Sequence, residues 1–177
     1  DQAQAARVEK TALVLLKQVA GAWQLLDPPM QKMLTWAARL HEAGIAISYN
    51  QYHRHGAYIL ENANLAGFSR QQQRVLGAIV RSQRQKYQRE SFDSLPEHWR
   101  GGAMRLAILL RLSVTLNRGR SNQPLPPIGI RVRGDKILVT PPVDWLKDHP
   151  LTEADLETER QYLEKGGFLL KININNK

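Results

Sequence analysis

The chain contains no cysteine, which removes disulfides and thiolate metal sites from consideration. No apolar run approaches the roughly 20 residues that a membrane-spanning helix requires, and no signal-peptide pattern is visible. The expected compartment is therefore the cytoplasm, with peripheral attachment to an anionic membrane left open by the basic charge. Aromatic residues are sparse at 7%, and none lies between Phe68 and Tyr87, across the most basic stretch. Stacking on single-stranded nucleic acid calls for aromatics interleaved with charge, so that class is disfavoured. No carboxylate occurs between Glu61 and Glu90, and no histidine precedes His41. The sequence opens at Asp1 rather than Met and runs straight into a helical pattern, so a longer parent polypeptide is expected.

What is present is positive charge, unevenly placed. The net charge is +9 over 177 residues. Residues 1–69 carry net +1, residues 70–120 net +8 and residues 121–177 net 0. A field concentrated in one third of the chain attracts a polyanion: polyphosphate, nucleic acid or an anionic surface. The competing reading is a solvated helix face, although the clustering exceeds what solubility needs.

The hydrophobic periodicity predicts a mainly α chain with a small α+β end. Ala5, Val8, Ala12, Leu15, Leu16, Val19 and Trp23 recur at three and four residues, giving a helix over 3–23. A second helix follows Asp27-Pro28-Pro29 and ends near Gly44, and a third covers Tyr52–Asn62. Ser69 with Gln72 has capping-box spacing and opens a fourth. Residues 103–118 are apolar on nearly every face and read as the buried centre of a bundle. Residues 121–127 (SNQPLPP) form a linker. Beyond it, alternating Ile128, Ile130 and Val132, a Gly134-Asp135 turn and Lys136–Thr140 give a hairpin. An acidic helix that Thr152 precedes, running to about Lys165, and a strand over Phe168–Ile174 complete a ββαβ unit. The expected division is a helical domain over 1–120, a linker over 121–127 and a ββαβ domain over 128–177.

The fourth helix carries the sharpest physical signal. At about 100° per residue, Arg70, Arg74, Arg81 and Arg84 share an arc of about 80°, opposite Val75, Leu76, Ile79 and Val80. The arginines are expected to project outward, with Gly77 leaving room for a ligand near the backbone. Guanidinium forks suit phosphate oxygens, and a row spaced by helical turns suits a chain of phosphates.

The stretch LHEAGIAISYNQYHRHGAYIL, followed by GFSRQQQRVLGAIVRSQRQ, resembles the HD-like module in the C-terminal half of bacterial exopolyphosphatases and their relatives, the guanosine pentaphosphate phosphohydrolases. The opening DQAQAARV, the segment LLRLSVTLNRGR and Asp144-Trp145-Leu146 agree with that resemblance. An HD phosphohydrolase needs an early His, a His-Asp pair and a distal Asp around divalent metal. Here the early His is missing, the pair is His41-Glu42, and Val114 stands at the distal position with the weak ligand Asn117 nearby. The expectation is a degenerate remnant with no metal and no catalytic residue. His53 and His55, two apart on a helix, are expected to point in different directions, either being a candidate phosphate contact. Where the family has a segment like VRYHRK, this chain reads Val80-Arg81-Ser82-Gln83-Arg84-Gln85, so a charge role survives there and a metal role does not.

The resemblance implies a non-catalytic region that helps to grip inorganic polyphosphate and contributes to a homodimer. The catalytic carboxylates, the phosphate loop and Mg²⁺ would belong to actin-like N-terminal domains of the same polypeptide. The candidate polyphosphate-binding residues are Arg70, Arg74, Arg81, Arg84, His53 and His55. The alternatives are the matching region of a guanosine pentaphosphate phosphohydrolase, an autonomous HD-type metal phosphohydrolase and, less favoured, a nucleic-acid-binding helical domain.

Overall fold

The computed structural model describes residues 1–173. Seven α-helices and three strands follow in the order α1 (Gln2–Val19), α2 (Pro28–Leu40), α3 (Tyr52–Asn62), α4 (Arg70–Arg81), α5 (Glu97–Leu116), β1 (Gly129–Arg133), β2 (Lys136–Thr140), α6 (Val143–Lys147), α7 (Pro150–Lys165) and β3 (Leu169–Ile172). Short 3₁₀ turns at Ala43–Ala46 and Arg89–Phe92 join helices. The architecture is mainly α with a small sheet.

Local chemistry sets several boundaries. Asp1 caps α1 through the Gln4 amide at 3.0 Å. The helix stops at Val19 rather than Trp23, because the chain turns through Gln24 at φ 56°. Trp23 is nonetheless buried in the core and donates through Nε1 to the Gly134 carbonyl at 2.9 Å. Pro28 and Pro29 open α2, where a missing N–H costs nothing. That helix ends at Leu40, earlier than the expected Gly44. Ser69 and Gln72 make the reciprocal capping box at the start of α4. α5 is the central helix, with Leu106 to Leu110 and Leu112 fully buried.

β1 and β2 pair antiparallel around Gly134-Asp135, and Gly134 has φ 58°. A positive φ at the first turn position alone matches a two-residue type II′ hairpin. β3 pairs parallel with β2, reached through a crossover that contains α7. The crossover holds one helix more than the ββαβ reading: Asp144-Trp145-Leu146 lies within α6, and α7 begins at Pro150, so Thr152 is inside the helix rather than before it. The expected last strand starts one residue late, at Leu169, and its Ile174 lies outside the described residues.

The sheet unit docks on the bundle. Ile128, Ile130, Ile137, Val139, Phe168 and Leu170 belong to the same buried cluster as the core of α1 and α5. Gln18 on α1 donates to the Ile128 carbonyl at 3.0 Å and accepts from the Ile130 amide at 3.1 Å. A unit of about fifty residues buries too little apolar surface to stand alone easily, which is the physical reason for this docking.

Candidate anion-binding site

α3 and α4 lie side by side. Gln73, buried on α4, donates to the carbonyls of Leu60 and Ala63 at the end of α3 (2.9 and 2.6 Å), satisfying groups that a helix terminus leaves open. Val75, Leu76, Ile79 and Val80 face the core. Arg70, Arg74 and Arg81 are exposed on the other side, as the helical arc requires. Arg70 has no hydrogen-bond or ion-pair partner among the described residues, whereas Arg74 donates to the Ser94 carbonyl at 2.6 Å.

Two details of the stripe differ from expectation. Arg84 is not on the helix, because α4 ends at Arg81. Gly77 is no ligand approach: it is buried, and a Cβ there would lie 2.6 Å from the Glu61 side chain. Both follow from contacts across elements, which an arc drawn on one helix does not contain. Glu61 on α3 also stands 3.9 Å from Arg81.

The turn after α4 is fixed by side chains from elsewhere. Gln83 donates to the His41 carbonyl at 2.6 Å. Arg111 on α5, 0% exposed, donates to the carbonyls of Ser82 and Gln85, both at 2.7 Å. Gln85 takes a left-handed conformation at φ 60°. So held, the turn carries Arg84 back over the ring of Tyr52, 4.7 Å from its centroid.

Two adjoining clefts result, sharing Arg84 and Gln85. The first, about 170 Å³, is lined by His53, Arg54, Arg81, Arg84 and Lys86 together with Ser and Gln side chains, and no carboxylate lines it. His53 is only 3% exposed, its Nδ1 is sealed without a partner, and burial followed by the charge of Arg84, Arg54, Arg111 and Arg81 pushes its pKa down to about 4. His55 is half-buried and lines neither cleft.

The second cleft, about 340 Å³, brings His41, Glu42 and Val114 together. His41 caps the end of α2, with Nδ1 2.6 Å from the Ala38 carbonyl oxygen, while its buried Nε2 lies 4.0 Å from Glu42. Burial lowers the His41 pKa. Glu42 is engaged by the Arg120 guanidinium, and Arg118 pairs with Asp155. Asn117 turns away to Thr11 and the Ser113 carbonyl. Among the described residues no three His, Cys, Asp or Glu side chains are grouped closely enough to hold a metal. The donor set therefore does not fit the metal centre of an HD phosphohydrolase: a guanidinium supplies the positive charge that a metal would bring to Glu42.

The family model described as Ppx/GppA phosphatase, domain III, matches residues 1–160. The chain belongs to this family. Proteins named guanosine-5'-triphosphate,3'-diphosphate pyrophosphatase are similar along almost its whole length. That of Pseudoalteromonas translucida is 37% identical over 98% of this chain, that of Pseudoalteromonas atlantica 35% over 96%, and that of Vibrio cholerae 34% over 99%. The chain spans about a third of the length of these relatives (35%, 34% and 35%). It thus corresponds to one part of larger Ppx/GppA proteins. The family match runs from the helical bundle across residues 121–127 into α7.

Several cleft residues of this Ppx/GppA chain were not singled out from the sequence. Arg54 stands between the two candidate histidines, and Lys86 lies just past the stripe. Arg118 and Arg120 follow the last bundle helix. The available signal was their charge; the fold places Arg54 and Lys86 in the smaller cleft and Arg118 and Arg120 in the larger one. Among the described residues no helix is long and apolar enough to cross a membrane.

Proposed function

We propose that this chain is the non-catalytic C-terminal region of an exopolyphosphatase, gripping inorganic polyphosphate while actin-like N-terminal domains of the same polypeptide, with Mg²⁺, remove its terminal phosphate. The observation that carries this reading is the cationic track. Arg70, Arg74 and Arg81 run outward along about 16 Å of α4 and lead into the cleft of Arg54, Arg84 and Lys86. A linear row of that length matches a chain of phosphates better than a single anion. A contribution to a homodimer and a cytoplasmic location belong to the same proposal and rest on the family resemblance.

A second reading is favoured by the similarity to guanosine-5'-triphosphate,3'-diphosphate pyrophosphatases. In it the parent enzyme acts on guanosine 5'-triphosphate 3'-diphosphate, and the same track meets that nucleotide's phosphates. Binding of long-chain polyphosphate by the purified chain tests the first reading. Affinity is expected to fall steeply between about 50 and 200 mM salt, as counterions are released. Displacement of bound polyphosphate by micromolar guanosine pentaphosphate, but not by GTP, would decide for the second reading. Absence of polyphosphate binding at low salt would remove the first.

A further inference from the structure

A separate cleft of about 480 Å³ lies between α1 and residues 122–128, where the helical bundle passes into the sheet unit. It shares no lining residue with the two clefts beside Arg84. Its walls are graded from one end to the other. Arg7 and Lys10 stand at the end nearer the start of α1, Thr11 follows, and Val14 and Leu15 lie about two turns beyond Arg7. The opposite wall runs in the same direction. Asn122 meets Arg7, with Oδ1 3.5 Å from Nη1, and the Ile128 carbonyl accepts from Gln18 at 3.0 Å.

The cationic end has no anion of its own. No carboxylate among the described residues lines the cleft. Arg7 donates through Nε to the Gln4 side-chain oxygen at 3.1 Å but forms no ion pair among those residues, and Lys10 has no partner there. Glu9, its neighbour on α1, is committed to Arg39 by two hydrogen bonds at 2.7 and 2.8 Å. The other end is apolar. Val14 is 46% exposed, and Leu125, Pro126 and Ile128 face it across the space. Three of residues 124–127 are proline, which fixes φ and lacks an N–H, so this wall is stiff before any ligand arrives. The volume falls within the roughly 300–1,000 Å³ of pockets for small organic ligands, which are mostly apolar with a few placed polar groups. A hydrated phosphate chain would satisfy Arg7 and Lys10 but leave the apolar wall uncovered. A plain hydrocarbon would cover the wall and leave the cations unpaired.

We propose that the cleft between α1 and residues 122–128 binds a small amphipathic carboxylate, whose head group pairs with Arg7 and Lys10 and whose apolar body lies against Val14, Leu15, Leu125 and Ile128. The rise of α1 sets the length of that body: Arg7 and Val14 are about 10 Å apart along the helix axis. A guanidinium fork and an ammonium suit one carboxylate, and the apolar remainder is removed from water on both sides. The ligand would touch the first helix, the linker and the start of β1 together. It therefore braces the junction between the bundle and the sheet unit. This site is independent of the arginine row on α4 and of the polyphosphate reading.

The test uses the intact chain, with calorimetric titration of octanoate, octan-1-ol and tripolyphosphate at one fixed salt concentration. Octanoate is expected to bind once per chain and to raise the melting temperature, as a ligand of the folded state does. Octan-1-ol, with the same body and no charge, is expected to bind at least about tenfold more weakly. Arg7→Gln/Lys10→Gln is expected to weaken octanoate at least about tenfold. Arg70→Gln/Arg74→Gln removes the same charge from exposed positions on α4 and is expected to cost less than about twofold. Val14→Asp, checked for folding by circular dichroism, tests the apolar end without altering Arg7 or Lys10 and is expected to weaken octanoate as well. Octan-1-ol binding as tightly as octanoate would overturn the proposal. So would equal losses in the two double variants, displacement of octanoate by tripolyphosphate at equal concentration, or no octanoate binding at millimolar concentration.

Discussion

Arg111 and Glu159 face each other in the interior, with Nε donating to Oε2 at 2.7 Å and Nη2 to Oε1 at 3.1 Å. Their side chains are 0% and 4% exposed. The pair joins the central bundle helix to the crossover helix of the sheet unit, and the remaining donors of Arg111 hold the Ser82 and Gln85 carbonyls. One guanidinium therefore ties together α5, α7 and the turn that floors the basic cleft.

Arg111→Met is expected to destabilise the fold by about 3–5 kcal/mol, the usual cost of leaving a buried charge unpaired. Adding Glu159→Leu should recover only part of that loss. The Ser82 and Gln85 carbonyls stay unpaired, at about 1–3 kcal/mol each. Urea denaturation of the two variants and the unaltered chain checks this; full recovery in the double variant would show that the carbonyl bonds carry no weight.

Arg74→Gln/Arg81→Gln is expected to reduce polyphosphate affinity about tenfold or more at moderate salt and to shallow the salt dependence, because two fewer phosphates are neutralised. Both side chains are exposed, so the melting temperature should change little. Unaltered affinity would make the row an ordinary solvated face, whereas unfolding would mean that the contacts with Ser94 and Glu61 are structural.

Stability should fall as pH drops. Burial and the neighbouring Arg84, Arg54, Arg111 and Arg81 hold the His53 pKa at about 4, below the ordinary 6.5, and burial also lowers that of His41. The unfolded chain therefore binds more protons in this window. The stabilisation is complete above about pH 6.5 and is lost progressively as pH falls through the folded value near 4. Urea midpoints measured from pH 7.5 to 4.5 should decline, and His53→Gln should flatten the decline.

Gly44→Ala is expected to be severely destabilising. A Cβ there would lie 1.9 Å from the Tyr52 carbonyl oxygen and 2.4 Å from the Gly56 amide nitrogen, both backbone atoms that cannot step aside. The cost should meet or exceed the 1–3 kcal/mol typical of overpacking, roughly. Gly21→Ala, with nothing within 4 Å of the added carbon, is the matched control and should be neutral or mildly stabilising.

Added Zn²⁺ or Mn²⁺ is expected to show no tight stoichiometric binding at His41 and Glu42, because Arg120 already compensates the carboxylate and Val114 completes the cleft with carbon. The purified chain should likewise release no phosphate from polyphosphate or guanosine pentaphosphate. Tight binding of one metal per chain, lost in Glu42→Ala, would refute the first statement. Hydrolysis abolished by His41→Ala would refute the second.

What the sequence made legible was local or periodic. The Ser69–Gln72 capping box, the Gly134-Asp135 hairpin and the outward face of Arg70, Arg74 and Arg81 are short-range properties, and they stand as read. His53 and His55 differ in burial, one buried and one half-buried. What escaped depends on distant partners. Arg84 leaves the helix because Arg111 and Gln83 capture the next turn, and Gly77 is filled by Glu61 from the preceding helix. Arg111 itself is visible in the sequence as the one charge within the apolar run Leu106–Leu112 of α5. A buried charge demands a partner, and that partner lies 48 residues further along.

That separation has a consequence for synthesis. The turn that floors the basic cleft belongs to the first half of the described chain, yet its final clamp requires Glu159. Contacts this distant in sequence form late, since the intervening loop must close first. A nascent chain halted before α7 would carry the arginine row with Arg111 uncompensated beneath it. A fully held basic cleft would then arrive only with α7, well after the arginines that surround it have left the ribosome.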